Sequence, residues 1–198
     1  MARLGSPARA EQTSSMVKKD SPATVVRRRV EVRLRGLQNK DRAKIQEILE
    51  EARNFTSEEI EVAMSLVGER IRGDTTYRFL VAVNRDDIPV GYICYGPTPM
   101  TTGTWDIYWI AVSKRFQRRH VGSLLLREVE KDITDHRGRL ILIDTSSKPS
   151  YRSTRAFYYK MGYRVSARIR GFYSDRDDRL IFCKYMLTGR CLGGRVIR

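Results

Sequence analysis

Residues 110–126 read IAVSKRFQRRHVGSLLL and give the clearest local structural signal in the chain. The stretch begins as an apolar strand, continues as a basic polar loop, and ends in the first turns of an amphipathic helix. The first amides of a helix have no partners within it, and the helix dipole adds roughly half a positive charge there. The junction therefore predicts an anion-binding site that suits phosphate groups.

Charge and an open backbone are the features that suit this loop to phosphate. Arg118 and Arg119 add positive charge, and Gly122 lets a phosphate approach the main chain closely. An ordinary solvated basic loop is the alternative interpretation, and these residues alone leave both open.

The sequence before this loop predicts two helices and four strands. Alternation with a period of two marks the first strand, and Thr56 followed by Glu59 is the capping box of the second helix. The predicted elements are a strand at 30–35, helices at 41–53 and 56–73, strands at 77–83 and 90–95 joined by a turn at 84–89, and a buried central strand at 105–112.

The sequence after the loop predicts two more helices and three more strands. The helix that begins at Val121 is expected to bury one face, formed by Leu124, Leu125, Val129 and Ile133. A strand at 139–144, a short helix at 153–161, and strands at 163–169 and 179–187 around a loop at 172–178 complete the series. This order predicts an α/β fold, in which a mixed sheet carries helices on both faces.

The composition is that of one globular domain with tails. The chain has 198 residues, 41% of them hydrophobic, and no apolar run reaches the roughly 18–20 residues that span a bilayer. Three cysteines without metal-ligand spacing predict neither a disulfide framework nor a zinc site. We therefore expect a cytoplasmic protein with no metal and no membrane contact.

The net charge of +15 is concentrated partly at the two ends of the chain. Residues 1–29 carry seven cations and two anions, and residues 189–198 carry three arginines, which leaves +7 for the domain at 30–188. Both ends are predicted to be basic tails, the first of them disordered, with a transit peptide as the alternative for the first. A basic body favours polyanionic partners, either nucleic acid or a ligand with several phosphates.

Two segments carry a resemblance to a known family. Residues 117–122, QRRHVG, resemble the [Gln/Arg]-x-x-Gly-x-[Gly/Ala] signature by which GNAT acetyltransferases bind the pyrophosphate of acetyl-CoA. His120 stands where the family has its first glycine, and histidine tolerates a positive φ better than most side chains. Residues 156–163, AFYYKMGY, resemble the family's Phe-Tyr pair placed four residues before a glycine. With the order of the elements, the resemblance covers residues 31–187.

The resemblance implies a GNAT-type fold and an acetyl-CoA-dependent N-acyltransferase that acts on an amine. The fold would be a mostly antiparallel twisted sheet of about seven strands flanked by about four helices, with pantetheine between the strands that end at Val112 and Asp144. Main-chain amides near Ile110 would polarise the thioester carbonyl. The residues implied to bind acetyl-CoA are Ile110, Ala111, Val112, Gln117, Arg118, Arg119, His120, Val121, Gly122 and Ser123.

Two residues are candidates for proton transfer. Asp106 falls where several members of the family carry a catalytic carboxylate, and strict alternation would place Asp106, Tyr108, Ile110 and Val112 on one face of the strand. A strand-edge carboxylate bonded to a loop is the alternative for Asp106. Tyr158 aligns with the tyrosine that protonates the departing thiolate in the family, and a plain core tyrosine is the alternative.

The acceptor site is expected where the first helices and the last hairpin meet. The resemblance implies that Phe55, Tyr95, Tyr108, Phe172 and Tyr173 line it. Acidic residues at 175–178 would attract a cationic amine, or would form a solvated turn in which they pair with Arg176 and Arg179.

Other functions and partners stay open at the level of sequence. The basic tails fit a nucleic-acid-associated or ribosome-associated factor, although no recognition motif accompanies the charge. A CoA-binding relative without catalytic activity is a further alternative, because His120 departs from the signature. The identity of the amine and the formation of a homodimer are likewise open.

Overall fold

The protein is described by a computed structural model of residues 31–74 and 76–186. The predicted tails at 1–29 and 189–198 lie outside the described residues. No helix in the described part of the chain is both long enough and apolar enough to cross a membrane.

Seven strands form one sheet in the described part of the chain, in the order β1-β2-β3-β4-β5-β7-β6. The strands are β1 Arg33–Gly36, β2 Arg78–Val83, β3 Pro89–Pro97, β4 Thr104–Val112, β5 Leu140–Ser146, β6 Arg164–Ser174 and β7 Asp177–Tyr185. All neighbouring strands run antiparallel except β4 and β5, which are parallel. The mixed, mostly antiparallel sheet expected from the sequence is confirmed.

Within residues 31–74 and 76–186, four α-helices pack on this sheet over two separate buried clusters. They are α1 Arg42–Ala52, α2 Ser57–Ile71, α3 Val121–Asp135 and α4 Arg152–Lys160. One cluster, the α1–α2 core, contains Ile45, Ile48 and Val67. The other cluster, the α3–α4 core, contains Leu125, Val129 and Tyr158. The sheet is therefore covered by helices on both faces, as predicted.

Local signals in the sequence set the start of α2 and the buried face of α3. The capping box is present, because Thr56 Oγ1 accepts a hydrogen bond from the Glu59 amide and the Glu59 carboxylate accepts one from the Thr56 amide. The predicted face of α3 is partly wrong. Leu124 is exposed, and Leu126 takes its place in the α3–α4 core.

The last hairpin is tighter than the sequence predicts. Strands β6 and β7 extend through most of the expected loop, so that Asp175 and Arg176 alone form the turn. Asp177 and Asp178 are buried, at 2% and 6% exposure. The predicted solvated turn is therefore wrong for these two carboxylates.

Both buried aspartates have partners other than the predicted ones. Asp178 pairs with Arg168 and accepts a hydrogen bond from the Gly171 amide at 2.9 Å. The amide bond first, and then Arg168, hold the pKa of Asp178 below its usual value. Asp177 accepts hydrogen bonds from the Ser146 hydroxyl and the Ser147 amide. The hairpin is thus fastened to the end of β5.

Candidate active site

The two parallel strands separate towards their carboxyl ends. Pairing between β4 and β5 runs from Thr104 opposite Leu140 to Ile107 opposite Ile143 and stops there, although both strands continue. A crevice of about 130 Å³ lies in this region. The residues that line the crevice include Ile110, Ala111, Val112, Gln117, Thr145, Tyr151, Thr154 and Tyr158.

A β-bulge at Tyr108 accompanies the separation. In the pairing of β3 with β4, Cys94 lies opposite Trp109 and Tyr95 opposite Ile107, so Tyr108 is the extra residue. A bulge reverses the alternation of side chains along the rest of its strand. The two halves of β4 therefore follow opposite patterns.

The bulge overturns the predicted common face of β4. Ile110 and Val112 pack against the α3–α4 core, whereas Tyr108 packs against the α1–α2 core. Strict alternation would have placed these three side chains together with Asp106. That prediction is wrong because it assumed an unbroken period of two.

The loop after β4 presents a row of unbonded main-chain amides. The Gln117 amide donates to the Ser113 carbonyl, and the Leu124 amide donates to the His120 carbonyl. Between them, the amides of residues 118–123 have no acceptor among the described residues. The Gln117 side chain donates to the Val112 carbonyl at 3.1 Å, which ties the loop to the end of β4. These features fit the binding of a diphosphate.

His120 has the backbone conformation that the signature glycine would supply. It lies in the left-handed region with a φ of 66° and a ψ of 5°, directly before α3. Gly122 lies in the first turn of the helix. A Cβ atom there would meet Phe157 at 3.6 Å and Val112 at 3.7 Å, which are ordinary contact distances. The loop thus keeps its shape with histidine in place of glycine.

The loop is also fixed to the end of α1. The Glu51 carboxylate accepts hydrogen bonds from the Ser113 hydroxyl at 2.7 Å and from the Lys114 amide at 3.1 Å. The bond from Ser113 is the main cause that holds the pKa of Glu51 below its usual value. Sequence reasoning did not identify this connection, because 62 residues separate Glu51 from Ser113.

Tyr158 lies on α4 and borders the crevice. Its ring packs against those of Phe157 and Phe182, with centroids 5.6 and 5.5 Å away. The side chain is 4% exposed, and no hydrogen bond from another described residue contributes to the behaviour of its hydroxyl. Burial raises the pKa of Tyr158 well above its usual value, which keeps the phenol protonated at neutral pH.

A larger pocket of about 630 Å³ adjoins the crevice. The two cavities share Asn54, Phe55, Tyr108, Trp109, Thr145 and Tyr151. The Thr145 hydroxyl is buried and has no hydrogen-bond partner among the described residues. It is therefore available to form a hydrogen bond with a ligand at the boundary. A ligand bound in the crevice and a second ligand bound in the pocket would meet at this boundary.

Asp106 lines the larger pocket and is half-buried. It accepts a hydrogen bond from the Thr98 hydroxyl at 2.6 Å. Partial burial raises the pKa of Asp106, and the bond from Thr98 offsets part of that rise. Burial, and then the charge of Asp106, raise the pKa of Tyr108 to about 12. Asp106 and Tyr108 therefore line the same pocket.

The structure brings some of the predicted acceptor residues together and leaves others apart. Phe55, Tyr108 and Tyr173 line the larger pocket. Tyr95 does not, because it packs in the α3–α4 core and its hydroxyl donates to Asp132 at 2.7 Å. Phe172 is also outside the lining, exposed and stacked on the Arg179 guanidinium at 4.9 Å. The prediction is therefore wrong for Tyr95 and Phe172.

Three residues of the shared boundary, Asn54, Trp109 and Tyr151, are absent from the sequence prediction. Strict alternation along β4 places Trp109 on the opposite face from Tyr108, but the bulge at Tyr108 puts both on the same face. Tyr151 ends the short 3-10 helix that begins at Pro149, just before α4, and is 8% exposed. A large aromatic residue at the entry to a helix is a signal that could have drawn attention to Tyr151.

Comparison with known families identifies the protein family of this chain. The acetyltransferase (GNAT) family matches residues 43–163, more than half of the chain. The chain therefore belongs to the GNAT family of acetyltransferases. Membership implies N-acetyltransferase activity in general, with acetyl-CoA as the acyl donor.

Solved structures agree with this class. A protein from Desulfovibrio desulfuricans that was assigned to the GNAT family is 38% identical, with a TM-score of 0.74, over 78% of this chain and 99% of the other. The ribosomal-protein-S18-alanine N-acetyltransferase of Escherichia coli is 15% identical, with a TM-score of 0.62, over 78% and 94%. An aminoglycoside 6'-N-acetyltransferase complexed with coenzyme A is 15% identical, with a TM-score of 0.62, over 77% and 96%.

At 15% identity, the E. coli enzyme and the aminoglycoside acetyltransferase show only that they share the fold of this chain. No curated protein matches the chain.

Proposed function

We propose that this chain transfers acetyl from acetyl-CoA to a primary amine in the cytoplasm, with its catalytic domain at 30–188. The crevice between β4 and β5 would hold the acyl donor, and the larger pocket would hold the amine. One observation carries the proposal. The unbonded amides of residues 118–123 lie next to a crevice that opens into a second, larger pocket.

The residues present fit coenzyme A. The amides of 118–123 would bind its diphosphate, with added charge from Arg118 and Arg119. Past Ile107 the side of β4 that faces β5 has no strand partner, so its main-chain groups are available to pantetheine and to the carbonyl oxygen. Acetyl-CoA supplies an activated acyl carbon when bound.

Tyr158 is proposed as the general acid. A phenol whose pKa is raised by burial stays protonated until a strong base appears beside it, and a departing thiolate is such a base. No hydrogen bond from another described residue engages the hydroxyl, so it is available to donate. Its position in the lining of the crevice, with Val112 and Gln117, supports this role.

Asp106 is proposed as the general base. The incoming amine must lose its proton, and Asp106 would accept it directly or through a water molecule. Partial burial raises the pKa of this carboxyl, which makes it a better proton acceptor than an exposed aspartate. A cationic amine would also be attracted to the carboxylate before the reaction.

The test is acetyl-CoA turnover with a panel of primary amines by wild type and Tyr158→Phe, together with calorimetric titration of CoA. We expect the wild type to bind CoA and to release free thiol in the presence of an amine. Tight binding of CoA without turnover on any amine would favour the inactive relative. No binding of CoA would refute the proposal itself.

A further inference from the structure

The larger pocket has the opposite charge to the body of the protein. Residues 30–188 carry +7, yet four carboxylates line this pocket against two cations among the described residues. The carboxylates are Glu59, Asp106, Asp144 and Asp177, and the cations are Lys148 and Arg179. Such a local reversal favours a positively charged ligand.

The two cations of the pocket are already paired. Arg179 forms an ion pair with Asp144, and Lys148 lies 3.3 Å from Asp177. Glu59 and Asp106 have no cationic partner among the described residues. The pocket therefore keeps two uncompensated carboxylates that a ligand could neutralise.

The carboxylates belong to the lining of the larger pocket alone. All four line the larger pocket, and none of them lines the crevice. The boundary between the two cavities is instead aromatic, apart from Asn54 and the buried, unpartnered hydroxyl of Thr145. A buried polar group without a protein partner at this point indicates a ligand contact. An amine that reacts near Thr145, with Asp106 as its base, would extend its other end towards the remaining carboxylates of the pocket, Glu59, Asp144 and Asp177.

Glu59 is well placed to meet that other end. Its carboxylate is held at the start of α2, because it accepts a hydrogen bond from the Thr56 amide at 2.8 Å. It also lies close to Tyr151, whose pKa is raised by burial and then by the charge of Glu59. Phe55 and Tyr151 contact each other edge to face, with centroids 6.5 Å apart, and offer apolar surface to an alkyl chain.

We propose that the acceptor is a linear amine with a second ammonium group, a diamine or a longer polyamine, and that Glu59 binds the second ammonium while Asp106 serves the reacting one. The inference rests on the proposed acetyl transfer and names its substrate class. A free amino acid fits poorly, because its carboxylate would meet the acidic lining while Lys148 and Arg179 are already paired.

The test compares three small amines of similar length by calorimetric titration of the full chain. They are 1,5-diaminopentane, 1-aminopentane and 5-aminopentanoate, whose far ends are positive, apolar and negative. We expect the diamine to bind about tenfold more tightly than the monoamine, the effect of one charge-assisted hydrogen bond, and the amino acid to bind most weakly.

Glu59→Gln is the informative variant. The capping box accepts glutamine as well as glutamate, so α2 should remain intact. This variant should reduce the affinity for the diamine to that for the monoamine, and should leave the monoamine unaffected. Glu58→Gln is the matched control, because Glu58 is an exposed carboxylate outside the pocket lining and its removal should change neither affinity.

The outcomes separate this inference from the proposed function. Equal affinity for the three amines, or tightest binding of the amino acid, would overturn the diamine assignment even if the monoamine is acetylated. A short peptide with a free amino terminus and arginine in second place forms a further arm. Tighter binding of that peptide than of the diamine would overturn the small-molecule assignment. Loss of CoA binding with retained diamine binding would refute acetyl transfer alone.

Discussion

Replacement of Gly122 by glutamate should weaken CoA binding without weakening the fold. Gly122 lies in the first turn of α3, within the row of unbonded amides. A Cβ atom at this position makes only ordinary contacts, the closest at 3.6 Å to Phe157. A carboxylate in the first turn of a helix is favoured by the helix dipole by roughly 0.3–1 kcal/mol. The folded state should therefore tolerate glutamate.

The expected loss of affinity follows from the charge. Two like unit charges about 5 Å apart repel each other by about 3 kcal/mol at an effective dielectric constant near 20. Screening by salt at this exposed loop reduces the repulsion to about 2 kcal/mol, which corresponds to a roughly thirtyfold weaker affinity for CoA. The added side chain would also compete with the diphosphate for the same amides.

Calorimetric titration of CoA, paired with thermal denaturation, measures both effects. Gly122→Ala is the control, because it adds a Cβ atom without charge and should bind CoA with near wild-type affinity, while it raises helix stability by at most about 1 kcal/mol. If Gly122→Glu keeps the melting temperature and binds CoA as tightly as the wild type, the diphosphate does not bind at this turn.

Three further predictions concern single side chains. His120→Gly should raise the free energy of unfolding by about 1 kcal/mol, because a backbone φ of 66° is less favourable for histidine than for glycine. A lower free energy of unfolding in denaturant titration would contradict this prediction. Tyr158→Phe should lower kcat more than the apparent affinity for acetyl-CoA, and equal turnover would remove Tyr158 from the mechanism. Asp106→Asn should abolish most turnover yet raise stability slightly at neutral pH. The raised pKa of Asp106 means that the wild type loses stability as pH rises from the unfolded value, about 3.9, through the higher folded value, and asparagine avoids that loss. Unfolding curves at pH 3 and pH 7 that shift equally in the variant would argue against it.

Much of the fold was predictable because its signals are local. The capping box at Thr56 and Glu59, and the change from strand to helix periodicity within residues 110–126, each depend on a few neighbouring residues. The left-handed conformation of His120 likewise falls at the position where the signature that residues 117–122 resemble has a glycine. Signals of this kind predict the local structure correctly because they do not depend on which distant residues pack against them.

The errors arise where distant contacts decide the outcome. Tyr95 was expected at the acceptor site, but its hydroxyl donates a hydrogen bond to Asp132, which is 37 residues away in the chain. Asp132 lies on the other side of the sheet from the larger pocket. The aspartates of the last hairpin were expected in solvent, but Asp177 is fastened to Ser146 on β5. Neither partner can be recognised from spacing along the chain, because the sheet order that unites them is a property of the whole fold.

The bulge at Tyr108 has a practical consequence for redesign of this enzyme. Along β4, the even-numbered Asp106 and Tyr108 face the side of the sheet where the α1–α2 core and the larger pocket lie, whereas after the bulge the odd-numbered Trp109 and Ala111 face that side. Ile110 and Val112 face the α3–α4 core instead. A mutant library that varies alternate positions across the whole strand would therefore alter the lining of the larger pocket in one half and the α3–α4 core in the other.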